Sequence, residues 1–333
     1  MGSLPRRLIF SLVPAVVVFA LAEGGLFMAG YPPEPDAPFE HKEPYWLTEP
    51  DLVNEPKPHK EEATSFQVST NAQGLRAPGV EVDNQDDDWR IMAMGCSTTF
   101  GWGVKNEESY PARLGTLIEG QGLSGVEVIN GGQPGYTSFQ GLWLWDGVLK
   151  DYKPDVVLIG FVVQDARKAA YSDKSQAIHQ GDARFLKDNF LYRWRTYLWL
   201  FEKIGRIQLE SKERGQGDEG GSYRVPLKEY GENLATLIDR VQDAGGTPVL
   251  FGYPLERTGY TEQHRFYLQA TAEHAGVPYF DPQPQMEQAS RQGEYYFPRD
   301  RGHANADGNA LIAQWVFDFL KENDLLGGAG GGI

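Results

Sequence analysis

The sequence is poor in cysteine and in clustered basic residues, and both deficits narrow its functional class. Cys96 is the one cysteine among 333 residues, so no disulfide can form within the chain. Lysine and arginine total 31 against 46 acidic residues, giving a formal net charge of −15. Nucleic-acid binding needs clustered positive charge, so we expect no nucleic-acid partner. The six histidines lack the spacing of metal ligands, and we expect no metal and no cofactor.

One long apolar run is present near the N-terminus. Two adjacent arginines precede residues 8–30, in which Glu23 is the only charged side chain. A helix of about 20 apolar residues spans a bilayer, and the positive charge before it favours export of the chain on its C-terminal side. Residues 20–22, Ala-Leu-Ala, also fit the cleavage site of a signal peptide. Residues 1–30 are therefore interpreted as a transmembrane helix or a signal peptide, with the downstream domain periplasmic or extracellular, and secreted if cleavage occurs.

The remainder of the chain is expected to contain a spacer, one domain and a tail. Residues 31–67 carry eight prolines, a density that disfavours helix and sheet and stiffens an extended chain. The domain is expected at 68–325, with an inserted aromatic-rich helical segment at about 168–224. That insertion fits either a helix packed on the domain or a lid that borders the site or rests on a membrane. The glycine-rich tail, 326–333, is expected to be disordered.

Short apolar runs alternate with amphipathic segments from residue 90 onward. The apolar runs predict strands at residues 90–94, 126–130, 155–161, 248–251 and 277–280. The amphipathic segments predict helices at residues 111–119, 138–149, 227–243, 262–274 and across the apolar positions 311–320. This alternation predicts an α/β fold, a three-layer α/β/α sandwich around a five-stranded parallel sheet of flavodoxin-like type.

Polar residues and glycines follow the first three predicted strands. Ser97 comes after the first strand, Gly135 after the second and Gln164 after the third. Because ligands of parallel sheets bind outside the carboxyl ends of the strands, these positions are expected to lie at one edge. Asp165 is expected to be structural and to fix the loop that carries Gln164.

Asp300 and His303 lie three residues apart on a polar loop before the last helix. A serine hydroxyl becomes nucleophilic when a base takes its proton. His303 is the expected base for Ser97, and Asp300 is expected to orient the His303 ring. The oxyanion that forms during acyl transfer needs donors, for which the amides of Ser97 and Gly135 and the carboxamide of Gln164 are the candidates.

These motifs together resemble the SGNH hydrolases of the GDSL type over about residues 68–325. They occur in the family's order, as Gly-Cys-Ser at 95–97, Asn-Gly-Gly-Gln-Pro-Gly at 130–135, Gly-Phe-Val-Val-Gln-Asp at 160–165 and Asp-Arg-Gly-His at 300–303. Upstream, Asn-Ala-Gln-Gly-Leu-Arg at 71–76 resembles membrane-anchored bacterial members. The resemblance implies a serine esterase that acts on ester-linked acyl groups, including O-acetyl, of envelope or extracellular glycans.

The chain departs from the family pattern at two site positions. Cys96 stands where the family has aspartate, and Gln164 replaces an asparagine with a side chain one methylene longer. Cys96 is expected to be a small buried residue, with a thiolate nucleophile at a helix N-terminus as the alternative. The departures motivate a second hypothesis, a catalytically silent domain that binds glycan or organises an envelope assembly. An O-acyltransferase and a lipid esterase are further alternatives, and the sequence does not indicate the oligomeric state.

Overall fold

The computed structural model divides the chain into two compact units, Met1–Glu43 with Ala170–Ser222, and Pro44–Ala169 with Tyr223–Ile333. The residues it describes are 4–31, 68–169, 172–177, 194–197, 199–200, 203, 222–256, 258–298 and 300–327. The spacer after residue 31, most of the insertion and residues 328–333 of the tail therefore lie outside the described residues. Leu326, which the sequence analysis assigns to the tail, is buried.

The first unit contains helix α1 (Leu4–Met28) and described pieces of the insertion. The carboxylate of Glu23 accepts hydrogen bonds from the backbone amides of Arg195 and Thr196, each at 2.8 Å. In the described part of the chain, no helix meets both requirements for crossing a bilayer, sufficient length and sufficient apolar content. The membrane anchor therefore remains a prediction from the sequence.

The second unit is built on a parallel sheet of five strands, β1 (Trp89–Gly95), β2 (Val126–Asn130), β3 (Val156–Gly160), β4 (Thr247–Phe251) and β5 (Tyr279–Phe280). Their order in the sheet is β2-β1-β3-β4-β5. All five predicted strands are confirmed, although β5 is two residues long where four were expected. Two more short strands, Lys168–Ala169 and Ser222–Tyr223, lie at the ends of the insertion.

Helices cover both faces of the sheet, which confirms the predicted three-layer sandwich. They are α2 (Ser97–Phe100), α3 (Tyr110–Gly120), α4 (Ser138–Gly147), α5 (Leu227–Asp243), α6 (Glu262–Ala275), α7 (Gln283–Ala289) and α8 (Ala306–Glu322), with 3-10 turns at Asn106–Glu108 and Leu149–Tyr152. Side chains alternate across a strand, so Met92 and Met94 of β1 enter the core beneath α4, α5 and α6. Ile91 and Ala93 enter the second core, beneath α3, α7 and α8.

The segment that carries Asp300 and His303 is a strand. The prediction that these residues lie on a polar loop is therefore wrong. Strand β7 (Asp300–Ala304) pairs antiparallel with β6 (Tyr296–Phe297), with a register irregularity at β6. Only the last residue of β7 is buried, so the strand lacks the apolar alternation by which a half-buried strand is predicted. The hairpin therefore leaves no local signal in the sequence.

The side chain of Arg76 lies beneath the turn that follows α2 and is 4% exposed. Its donors reach four oxygens, the carbonyls of Phe100 (2.8 Å), Gly101 (2.6 Å) and Val104 (2.6 Å) and Oδ1 of Asn106 (2.8 Å). Burial lowers the pKa of Arg76 to about 10, which leaves the guanidinium charged at neutral pH. Hydrogen bonds from this buried cation thus fix the backbone that follows the nucleophile position.

We expect Arg76→Met to destabilise the protein, because the substitution removes the donors for several buried carbonyls. A buried acceptor left without a partner costs roughly 1–3 kcal/mol, so a loss of about 3 kcal/mol and a fall in Tm of roughly 6–12 °C are expected. Calorimetry measures the Tm. Arg291→Met, at an exposed position, is the matched control. Equal Tm values for the two variants would contradict the role given to Arg76.

Candidate active site

The Ser97 side chain lies in the first turn of a short helix at the carboxyl end of β1. Cys96 has extended backbone angles at the N-cap and Gly101 ends the helix in the left-handed region. Gly95 is required just before, because a Cβ there would lie 2.3 Å from the Thr99 hydroxyl oxygen. The first amides of a helix have no acceptor within it, so the amide of Ser97 can donate to a ligand.

His303 lies between Ser97 and Asp300 and contacts both. Its Nε2 is 2.8 Å from the Ser97 Oγ, and its Nδ1 is 2.6 Å from Oδ2 of Asp300. An ionised carboxylate only accepts hydrogen bonds, so Nδ1 carries the hydrogen and Nε2 of the neutral ring accepts from the Ser97 hydroxyl. The fold therefore brings together three side chains predicted from the sequence, across a separation of 206 positions between Ser97 and His303.

Hydrogen bonds from neighbouring residues keep the Asp300 carboxylate ionised. Partial burial favours the neutral acid, but the hydrogen bonds from His303 and from the Gly302 amide outweigh burial and hold the pKa of Asp300 below its usual value. The charge of Arg167 acts in the same direction. An ionised carboxylate at this place can orient the imidazole and stabilise the imidazolium.

A cavity of about 530 Å³ adjoins the carboxylate of Asp300. Its lining residues are Ala166, Arg167, Lys168, Leu255, Tyr260, Asp300, Arg301 and Gly302.

Gly135 follows β2 in a loop that is tied to β1. The amides of Gly131 and Gln133 donate to the carbonyls of Ala93 and Gly95 at 2.8 and 2.9 Å. Gly135 has a φ of 81°, in the left-handed region that favours glycine. No atom lies within 4 Å of the place where a Cβ would stand. Conformation, and not crowding, therefore requires glycine, and the space beside Gly135 is open.

Gln164 and Asp165 follow β3 and have different partners. Gln164 is 7% exposed, and its Oε1 accepts a hydrogen bond from Nη1 of Arg224 at 3.1 Å. Asp165 is fully buried, and its Oδ1 accepts from the backbone amide of Ser138 at 2.8 Å. Asp165 thus joins the loop after β3 to the first turn of α4, which is a structural contact of the kind expected from the sequence.

The side chain of Cys96 is part of the second core. The residue is 1% exposed, and its Sγ lies 3.2 Å from the Thr98 hydroxyl oxygen. Burial raises the pKa of the Cys96 thiol. Because the thiolate is the nucleophilic form, these features favour the small buried residue over the thiolate alternative.

Arg224 contacts two of the predicted site residues but was not identified from the sequence. Besides Oε1 of Gln164, its Nη1 approaches the carbonyl oxygen of Gly135 at 2.8 Å. Arg224 lies 60 positions from Gln164 and 89 from Gly135. The insertion separates Arg224 from the motif at residues 160–165. The sequence gives no signal for where the chain comes back to the site after the insertion. Arg224 therefore becomes a candidate only in the folded structure.

The arrangement provides the groups that acyl transfer needs. A serine hydroxyl donates to a histidine, a carboxylate orients that histidine, and a helix N-terminus lies beside them. Within the ranges that the structure describes, no group of three or more His, Cys, Asp and Glu side chains could hold a metal ion.

Three of the solved structures that match this chain share little of its sequence. An alpha/beta hydrolase from the metagenome of Lake Arreo, Spain, is 16% identical, with 72% of this chain and 96% of that chain covered and a TM-score of 0.47. The lipase/acylhydrolase from Enterococcus faecalis is 18% identical, with 71% and 96% covered and a TM-score of 0.45. An acetylxylan esterase from Geobacillus stearothermophilus is 17% identical, with 70% and 93% covered and a TM-score of 0.44. A search of curated protein sequences finds no match.

Residues 93–311 match the family model described as the GDSL-like Lipase/Acylhydrolase family. The matched region is more than half of the 333-residue chain. It begins within β1 and includes Ser97, Asp300 and His303. The match confirms the resemblance drawn from the sequence motifs, and the chain belongs to the GDSL-like lipase/acylhydrolase family.

Proposed function

We propose that this ester hydrolase releases ester-linked acyl groups through a covalent intermediate on Ser97. The observation that carries the proposal is the continuous pair of hydrogen bonds, 2.8 Å from Ser97 Oγ to His303 Nε2 and 2.6 Å from His303 Nδ1 to Asp300 Oδ2. Both lie in the range of catalytic hydrogen bonds. A silent domain would have its histidine turned away or its Gly135 position blocked. Neither feature is found, which supports the active alternative.

In the first half-reaction, the Ser97 Oγ bonds to the ester carbonyl carbon while its proton passes to Nε2 of His303. The negative charge of Asp300 stabilises the imidazolium that results. The former carbonyl oxygen becomes an oxyanion, which accepts hydrogen bonds from the amides of Ser97 and Gly135 and from the Gln164 carboxamide. The carbon–oxygen bond to the alcohol then breaks, and the alcohol oxygen takes the proton from His303.

In the second half-reaction, water adds to the acyl carbon and gives its proton to His303. The acyl–serine bond breaks, the Ser97 oxygen recovers the proton, and the acid leaves. An O-acyltransferase would differ only in that a sugar hydroxyl replaces the water. Both reactions pass through the same acyl–serine intermediate. The acceptor that attacks it therefore decides between hydrolysis and transfer, and the three side chains do not.

For the substrate, we propose O-acyl groups, including acetyl, on envelope or extracellular glycans. Placement of the enzyme outside the cytoplasm rests on the apolar run at residues 8–30 and on Arg6 and Arg7 before it. The membrane is then the expected partner of α1. Activity on lipid esters remains the alternative for the same site.

We expect Ser97→Ala to remove hydrolysis of p-nitrophenyl acetate by the full chain. Loss of the nucleophile from a triad lowers kcat by roughly 10⁴ to 10⁶, whereas Cys96→Ala should stay within about threefold because the thiol faces the core. Release of p-nitrophenol measures the rate, and a fluorophosphonate probe reports the reactive hydroxyl. An inactive wild-type protein that does not take up the probe would instead support the silent domain.

The thiol of Cys96 should react slowly in the folded protein, because it is buried and its pKa is raised. With a chromogenic disulfide reagent at pH 8, we expect labelling to be at least roughly tenfold slower than in denaturant. The denatured chain provides the control, since its single thiol gives one equivalent of product. Rapid labelling of the folded protein, blocked by a fluorophosphonate, would favour the thiolate alternative.

Replacing Asp300 by asparagine should lower kcat by roughly 10⁴, as the loss of a triad carboxylate does elsewhere. Because the pKa of Asp300 is lowered, its carboxylate in the wild-type protein is charged at every pH above the ordinary pKa of an aspartate. It becomes protonated only at a pH below that ordinary value. The deficit of Asp300→Asn is therefore expected at every pH between about 6 and 9. Asp307→Asn, at an exposed position nearby, is the control. Equal pH–rate profiles for the two variants would remove Asp300 from the triad.

A further inference from the structure

The carboxamide of Gln164 is a useful oxyanion donor only in one of its two orientations. A glutamine amide presents a donor nitrogen on one side and an acceptor oxygen on the other. An oxygen directed at the developing oxyanion would repel it. The additional methylene of glutamine, compared with the asparagine of related sequences, also adds one rotatable bond. Some neighbour must therefore select both the rotamer and the orientation of the amide.

Arg224 is placed to make that selection. Its Nη1 lies 3.1 Å from Oε1 of Gln164, and a guanidinium has donors and no acceptor. The atom that faces the guanidinium must consequently be the amide oxygen, and the nitrogen is left on the other side. Gln164 is 7% exposed, so water competes little with this contact.

The same Nη1 also fixes the glycine of the oxyanion loop. It donates to the carbonyl oxygen of Gly135 at 2.8 Å. Gly135 has no side chain to restrict it and lies at a φ of 81°, so an external contact is needed to hold its peptide groups in one orientation. One nitrogen of Arg224 thus contacts the Gln164 carboxamide directly and, through its carbonyl oxygen, the residue that carries the second candidate amide.

Arg224 is itself held at several points of the site. Its Nη2 is 3.3 Å from Oε1 of Gln140, the atom that also accepts from the Thr137 amide at the start of α4. Its backbone amide donates to the carbonyl of Arg167 at 2.8 Å, on the loop that follows Gln164. The guanidinium is therefore fixed relative to both loops that it joins.

We propose that Arg224 is a positioning residue, which orients the Gln164 carboxamide and holds Gly135 through its carbonyl oxygen, so that the N–H groups of both residues face the oxyanion. The proposal rests on the esterase function proposed above. Arg224 acts through these two residues and does not itself touch the substrate. Arg224, 60 positions away in the chain, restricts the conformation of the Gln164 side chain, which has one more rotatable bond than asparagine.

A double-mutant cycle on the full-length protein tests the proposal, with Arg224→Met, Gln164→Ala and the pair. We expect Arg224→Met to lower kcat for p-nitrophenyl acetate roughly 10- to 100-fold, because losing an oxyanion donor outright costs about 100- to 1,000-fold, with KM within about threefold. In the Gln164→Ala background the same change should lower kcat only a few-fold, the part due to Gly135. Lys228→Met, which removes an exposed charge four residues away, is the control. Equal losses in both backgrounds, accompanied by a lower Tm, would overturn the proposal in favour of a structural role.

A spectroscopic readout separates this proposal from the esterase function. The side-chain NH₂ signals of Gln164 can be assigned in ¹⁵N spectra by their absence in Gln164→Ala. They should shift or broaden in Arg224→Met, and remain in place in Lys228→Met. Unchanged signals in Arg224→Met would refute the proposal whether or not the wild type hydrolyses the ester. A wild type that fails to hydrolyse the ester would refute only the esterase function. If Arg224→Met does not fold, Arg224→Lys provides the same comparison, because the single nitrogen of lysine cannot take the places of both Nη1 and Nη2.

Discussion

Hydrogen bonding of β1 to both β2 and β3 sets the level at which the three strands end. Gly95 pairs with Gly160 on one side of β1, and Ala93 pairs with Asn130 on the other. Neighbouring strands lie about 4.8 Å apart, so the loops that leave them begin side by side. The chain crosses from β2 over β1 to β3 at this point, which is where open parallel sheets bind ligands. Ser97 follows the end of β1 at Gly95 by two residues and therefore lies in this crevice.

The parts of this fold that could be predicted are those whose burial leaves a local pattern. The strands β1, β3 and β4 are almost wholly buried and appear as mainly apolar runs. The partly buried β2 and β5 were also predicted. The β6–β7 hairpin has no such pattern, and contacts with distant parts of the chain help to position it. The Tyr296 hydroxyl donates to the carbonyl of Pro254 at 2.9 Å, and His303 contacts Ser97 across 206 positions. The motif spacing predicted Asp300 and His303 as partners, but it could not predict the strand that carries them.

The two arginines of this site show why part of it cannot be predicted from one sequence. Three of the four oxygens that Arg76 contacts are backbone carbonyls, and Arg224 contacts the carbonyl of Gly135 besides the side-chain oxygens of Gln164 and Gln140. A backbone carbonyl leaves no residue-type signal, because every residue has one, unlike the serine, histidine and aspartate of a triad. Arg76 reaches 24 to 28 positions along the chain, and Arg224 reaches 60 and 89. Only the folded chain identifies which carbonyls these guanidinium groups meet.

Cys96, beside the proposed nucleophile Ser97, changes how the turn after β1 is stabilised. An aspartate at position 96 would bring a carboxylate into the second core, where a charge without partners costs several kcal/mol. The Cys96 thiol needs no counter-charge, and the hydroxyl of Thr98 is a close polar neighbour. The turn is also held by the hydrogen bond from the Phe100 amide to the Cys96 carbonyl, at 3.0 Å, and by the Arg76 hydrogen bonds to the carbonyls that follow α2. Because these interactions do not use the side chain of residue 96, the loss of the family's aspartate does not by itself remove the geometry that joins Ser97 to His303.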